Sequence, residues 1–148
     1  MEQSAATGTV ANTTVGLVGW RRAVAWLYVA AASIVVAGVL LQAFSIAAYV
    51  RGAGAGARDL HVTGGFITHN IEIILFLLAL VAFWGTWRLV GFALLLPIIG
   101  TAQVFLIGDT DKPGGWVNGL HGLLALVVLV MALALAEIGR RSLRGTAT

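Results

Sequence analysis

Between Arg58 and Gly85 the chain reads RDLHVTGGFITHNIEIILFLLALVAFWG. His61, His69, Asn70 and Glu72 fall within its first fifteen residues, and an apolar run follows them. A third histidine, His121, sits in NGLHGLLAL. The chain has no cysteine, which removes disulfides, thiolate metal sites and thiol nucleophiles. The chemistry left is that of imidazole and carboxylate, either proton transfer or metal ligation. His61 and His69 are eight residues apart, about 12 Å along a helix and about 80° around it, so they do not readily share one ion. Two histidines on different helices, facing across a bundle, would instead suit a flat group that brings its own equatorial ligands and needs only two more.

Glu72 is followed by twelve apolar residues, Ile73 to Trp84. Ionisable groups inside such a run face a bundle interior or a cavity, and a carboxyl there has to be paired or neutral. His69, one helical turn earlier on the same face, is its expected partner. This buried polar pair is either a hydrogen-bonded stitch between helices or a proton-handling site.

Four apolar runs can carry these residues: 23–50, about 62–84, 89–108 and 117–138. Each is near the roughly 20 residues that a bilayer core requires. With 59 % hydrophobic and 10 % charged residues, the chain reads as one membrane domain with no soluble module. The expected division is a flexible tail over 1–19, four spans over 20–141 and a second tail over 142–148. The first apolar run exceeds the length of a cleaved signal and reads as a retained span. Short connections, RGAGAGARD (51–59), GTWR (85–88) and DTDKPGG (109–115), make successive helices antiparallel neighbours. The fold class is therefore all-α, an up-down-up-down transmembrane four-helix bundle. Arg21, Arg22, Arg88, Arg140, Arg141 and Arg144 fall at one side, against Arg51, Arg58 and Lys112 at the other. The positive-inside rule then places both termini in the cytoplasm of a bacterial inner membrane. Basic residues gathered at helix ends speak for topology and the lipid bilayer as partner, not for nucleic acid.

The two halves echo each other. LLQAFSIA and, after a loop, DLHVTGG in the first match TAQVFLIG and GLHGLLA in the second. Gln42 precedes His61 by 19 residues, and Gln103 precedes His121 by 18. Two such hairpins imply a pseudo-two-fold axis along the membrane normal. His61 and His121 would then be axial ligands of haem b near the outer face, with Gln42 and Gln103 bonding a second imidazole nitrogen or a propionate. Gly64, Gly65, Gly119 and Gly122 would let the macrocycle approach the backbone. A competing register exists, because His69 precedes Arg88, and His121 precedes Arg140, by 19 residues each. In that register His69 is the alternative metal ligand facing His121. The plainer account is that a histidine near a span's start is an interfacial hydrogen-bonder and that glycines serve close helix packing.

The stretch from Leu40 to Ala136 resembles a family of small uncharacterised four-span bacterial membrane proteins, on Gln42, Asp59, His61, Gly65, Gln103 and His121. More loosely, each hairpin is similar to half of a haem A synthase four-helix bundle, in which a glutamine-bearing helix precedes one that opens with a haem-ligating histidine. Those enzymes have eight spans and a Glu-x-x-His-Arg element that this chain lacks, so the likeness implies haem-holding geometry rather than synthase activity. The functions to be weighed are haem-based electron transfer with quinone or a membrane-complex partner, a non-catalytic accessory or scaffold subunit in a homo- or hetero-oligomer that binds no cofactor, and proton or solute handling at His69 and Glu72.

Overall fold

Long runs of Leu, Val, Ile and Ala with no interior helix breaker but Pro97 satisfy their own backbone only as helices when water is absent. The computed structural model of the chain describes Leu17 and residues 19–106 and 115–145. Within these are four helices: α1 (Gly19–Val50), α2 (Ala55–Ala82), α3 (Trp87–Leu106) and α4 (Gly115–Arg144). All four are long and apolar enough to cross a membrane. α1 has 32 residues, about 48 Å at 1.5 Å per residue, and outruns a bilayer core, whereas the 20 residues of α3 just reach across it. Phe44, Phe105, Leu126 and Val130 stand exposed on the bundle's outside, as lipid permits and water does not. The protein is an integral membrane four-helix bundle.

α1 lies beside α2 and α4, and α3 lies beside the same two helices. α1 therefore faces α3, and α2 faces α4, across the centre. Tyr28, Val35, Leu75, Leu96, Val128 and Leu135 fill the middle and are fully buried, with Ala25, Ala32, Ala79, Ala93 and Ala132 between them. Small residues let the backbones approach. A Cβ on Gly139 would stand 2.9 Å from the Tyr28 ring, and one on Gly38 would run into the Thr68 hydroxyl.

The helix ends depart from the sequence expectation. The glycine-rich 51–59 connection is a turn only through Gly54, and α2 starts at Ala55. Gly52 and Gly54 have φ of 95° and 83°, a region that side chains avoid, and this reverses the chain within four residues. Ala55 to Leu60 are then free to extend the helix outward as its polar first turns. α4 runs through Arg144, three residues beyond the expected end of the membrane domain. The 1–19 tail, apart from Leu17 and Gly19, and most of the 109–115 connection, Lys112 included, lie outside the described residues.

Candidate functional site

His61 is the seventh residue of α2, and His121 is the seventh residue of α4. Both are half-buried. Because α2 faces α4, the two rings meet across the bundle, with centroids 6.2 Å apart and planes at 69°. The His61 Nδ1 lies 3.1 Å from the Gln42 carbonyl oxygen, and the His121 Nδ1 lies 3.3 Å from that of Gln103. A carbonyl oxygen can only accept, so each Nδ1 carries the proton and donates it. In each neutral imidazole the remaining nitrogen, Nε2, then holds a lone pair.

The glutamines serve these histidines through the backbone, where the sequence suggested their side chains. The Gln103 amide instead donates to the His121 backbone oxygen at 3.0 Å, closing a reciprocal pair between α3 and α4. The Gln42 side chain lies against Gly64 and Gly65, where added Cβ atoms would sit 2.5 Å from its Nε2 and 3.3 Å from its Oε1. Those two glycines thus make room for Gln42, not for a ligand. The Gln42 Nε2 is buried and has no hydrogen-bond partner among the described residues. Beside the other histidine, Cβ atoms on Gly119 and Gly122 would meet nothing within 4 Å.

His69 is not at this mouth. Its Nδ1 lies 3.0 Å from the Glu72 Oε2, so the pair expected from the sequence is formed, with Glu72 3 % exposed and His69 18 %. Two residues of α3 complete the cluster, and sequence reasoning missed both. The Thr101 Oγ1 stands 3.4 Å from the His69 Nε2 and donates its own proton to the Pro97 carbonyl at 2.7 Å. With that proton committed, Thr101 can only accept from His69, which puts a proton on Nε2. The proton between Nδ1 and the carboxyl then sits on either partner, and the cluster is neutral as a whole in both cases. Gly100 is the second residue. A Cβ there would overlap the Glu72 Oε2 and stand 2.7 Å from the His69 Nδ1. Asn70 takes no part; its amide donates to the Phe66 carbonyl at 2.8 Å.

A signal for Thr101 was present in the sequence. Aligning TAQVF with LLQAF sets Thr101 opposite Leu40 and Gly100 opposite Val39. The second half likewise has Leu129 and Ala132 opposite His69 and Glu72. These four positions, where the halves differ, meet between α2 and α3.

At the arginine-rich ends, the Arg21 guanidinium donates to the Val81 and Trp84 carbonyls, at 3.4 and 3.3 Å, and so caps α2. Arg140 and Arg141 pair with Glu137. Among the described residues no three His, Asp or Glu side chains converge to hold a metal ion. Compared with known protein families, curated proteins and solved structures, the chain gives no match.

Proposed function

We propose that the protein is an electron-transfer protein that holds one b-type haem between His61 and His121. One observation carries this reading: two imidazoles on facing helices, each with Nδ1 turned to a backbone carbonyl, at a centroid spacing of 6.2 Å. Metal-bound histidines almost always donate their other N–H to such a partner, which fixes tautomer and ring orientation. His61 and His121 would hold such a group between them, since a metal–nitrogen bond of about 2 Å on each side plus the ring radius would span roughly 6 Å. A porphyrin supplies the other four ligands itself, so two histidines suffice where a protein-only site would need more. The open space at Gly119 and Gly122 and the unmet donor of Gln42 are compatible with an added group at this end. Bound haem would supply one-electron redox chemistry, exchanged with quinone or a membrane-complex partner.

In this reading the helices alternate in direction, as two hairpins related by a pseudo-two-fold axis. The paired bonds Gln42–His61 and Gln103–His121 support the repeat. Contacts of Arg21 with Val81 and Trp84, at the opposite ends of α1 and α2, support the alternation. The histidine end faces outward and both termini lie in the cytoplasm of a bacterial inner membrane, following the arginines. The resemblance of each hairpin to half of a haem A synthase points the same way for the haem, though not for synthase activity.

The test is a reduced-minus-oxidised spectrum of protein purified in detergent from haem-replete cells. A Soret shift and α band are expected in the wild type and in His69→Ala, and are absent in His61→Ala and His121→Ala. A wild type without these bands, or bands that survive both substitutions, sinks the proposal. One observation favours a second reading, a non-catalytic accessory subunit. The polar cluster at Gly100 locks α2 to α3 with its members bonded to one another, as a purely structural device would. A stable partner retained in a native-mass measurement, with no haem band, would support it.

A further inference from the structure

At the arginine-rich end an open groove of about 450 Å³ lies where the end of α2, the start of α3 and the end of α4 come together. Its walls are Phe83, Leu89, Phe92 and Ile138, and its rim is Thr86, Arg88 and Ser142. The rim therefore offers a guanidinium and hydroxyls, while the walls offer only hydrocarbon. Three of the other cations at this end are already engaged. Arg21 is engaged by helix carbonyls, and Arg140 and Arg141 by Glu137. Arg88 is exposed and has no hydrogen-bond or ion-pair partner among the described residues. Trp84 and Trp87 both precede it within four residues, exposed and edge to face at 5.0 Å. Indole rings settle at the level of lipid headgroups. Arg88 is thus a free guanidinium at headgroup depth, above an apolar furrow between membrane helices.

We propose that this groove is a binding site for one anionic phospholipid, with its phosphate on Arg88 and an acyl chain laid along Leu89, Phe92 and Ile138. The proposal commits to a lipid because the two halves of the groove match the two halves of such a molecule. A phosphodiester complements a guanidinium that has no carboxylate of its own, in charge and in fork geometry. The apolar walls account for the rest of the ligand, which a free phosphate would leave unused. The site lies away from His61 and His121 and does not depend on haem.

Full-length protein in detergent is mixed with phosphatidylglycerol and phosphatidylcholine of equal chain length, and bound lipid is counted by native mass spectrometry. One phosphatidylglycerol per chain is expected to persist at activation energies that strip phosphatidylcholine. Arg88→Gln lowers that retention roughly tenfold, the scale of one charge-assisted contact. Arg144→Gln, which removes a like charge at the same end but outside the groove, leaves retention unchanged. Ile138→Trp keeps every charge, fills the furrow and lowers retention. Equal retention of the two lipids by the wild type overturns the proposal, whatever the variants do. So does a loss in Arg144→Gln as large as in Arg88→Gln, which would mean diffuse attraction. Glycerol phosphate bound as tightly as the lipid would assign the anion contact without the groove, and overturns it as well.

Discussion

At Gly100 a hydrogen stands where any other residue would set a carbon onto the Glu72 carboxyl oxygen. The neutral His69–Glu72–Thr101 cluster therefore depends on a residue that takes no part in its hydrogen bonds. Gly100→Ala is expected to destabilise the bundle by about 1–3 kcal/mol, the usual range for overpacking a close contact. The matched control is Gly91→Ala, nine residues earlier on the same helix, where a Cβ meets nothing within 4 Å. It should be neutral or slightly stabilising, since alanine is the better helix former. Unfolding each variant by titration with denaturing detergent measures the difference, and equal midpoints would refute the account. Thr101→Val should cost less, about 0.6 kcal/mol, because hydrogen bonds between membrane helices are individually weak. Part of this cluster was legible beforehand. A carboxyl buried in an apolar run calls for a partner, and His69 stands three residues away on the same helix face. Gly100 and Thr101 lie on another helix, and reaching them requires the relative rotation of α2 and α3, which no local pattern in either helix contains.

The helices themselves were legible because apolar length is a one-dimensional property, and a bilayer leaves the backbone hardly any other structure. Their ends were less so. Whether the glycines of RGAGAGARD form a loop or a turn depends on backbone angles, and only Gly52 and Gly54 take the positive φ that ends one helix and begins the next. Pairwise fit between helices was also hidden. Gly38 on α1 receives the Thr68 side chain of α2, whose hydroxyl donates to the Gly64 carbonyl at 2.8 Å. Nothing in the sequence around either residue marks the other. Their coupling can be measured. Gly38→Ala forces its new carbon against the Thr68 hydroxyl and methyl, at an expected cost of about 1–3 kcal/mol. With Thr68→Ala already in place, those two atoms are gone and the same substitution should cost far less. The non-additivity of this cycle reports contact directly. Costs that simply add would mean that α1 and α2 do not pack through this pair.

Over the whole molecule, the histidines take their meaning from the order of helices around the bundle. His61 and His69 are equally imidazole, and the arginine spacing alone would pair His69 with His121. The ring of contacts α1–α2–α3–α4 sets α2 opposite α4, and the rings that meet across it are His61 and His121. His69 is drawn instead into the interface with α3. A bundle polar at one end and basic at the other also has to choose a direction in the membrane. Six of the nine basic residues stand with Arg21, Arg88 and the end of α4, and translocating that end would carry most of the positive charge across. Because the chain has no cysteine, single substitutions report sidedness without background. In intact bacterial spheroplasts a membrane-impermeant maleimide is expected to label Ala53→Cys, in the turn between α1 and α2. Thr86→Cys and Gly145→Cys should react only after lysis. The opposite pattern would invert the protein and put the His61–His121 pair on the cytoplasmic side. Thr86→Cys and Ala53→Cys reacting alike would refute the alternation of the helices itself, because α2 would then fail to cross.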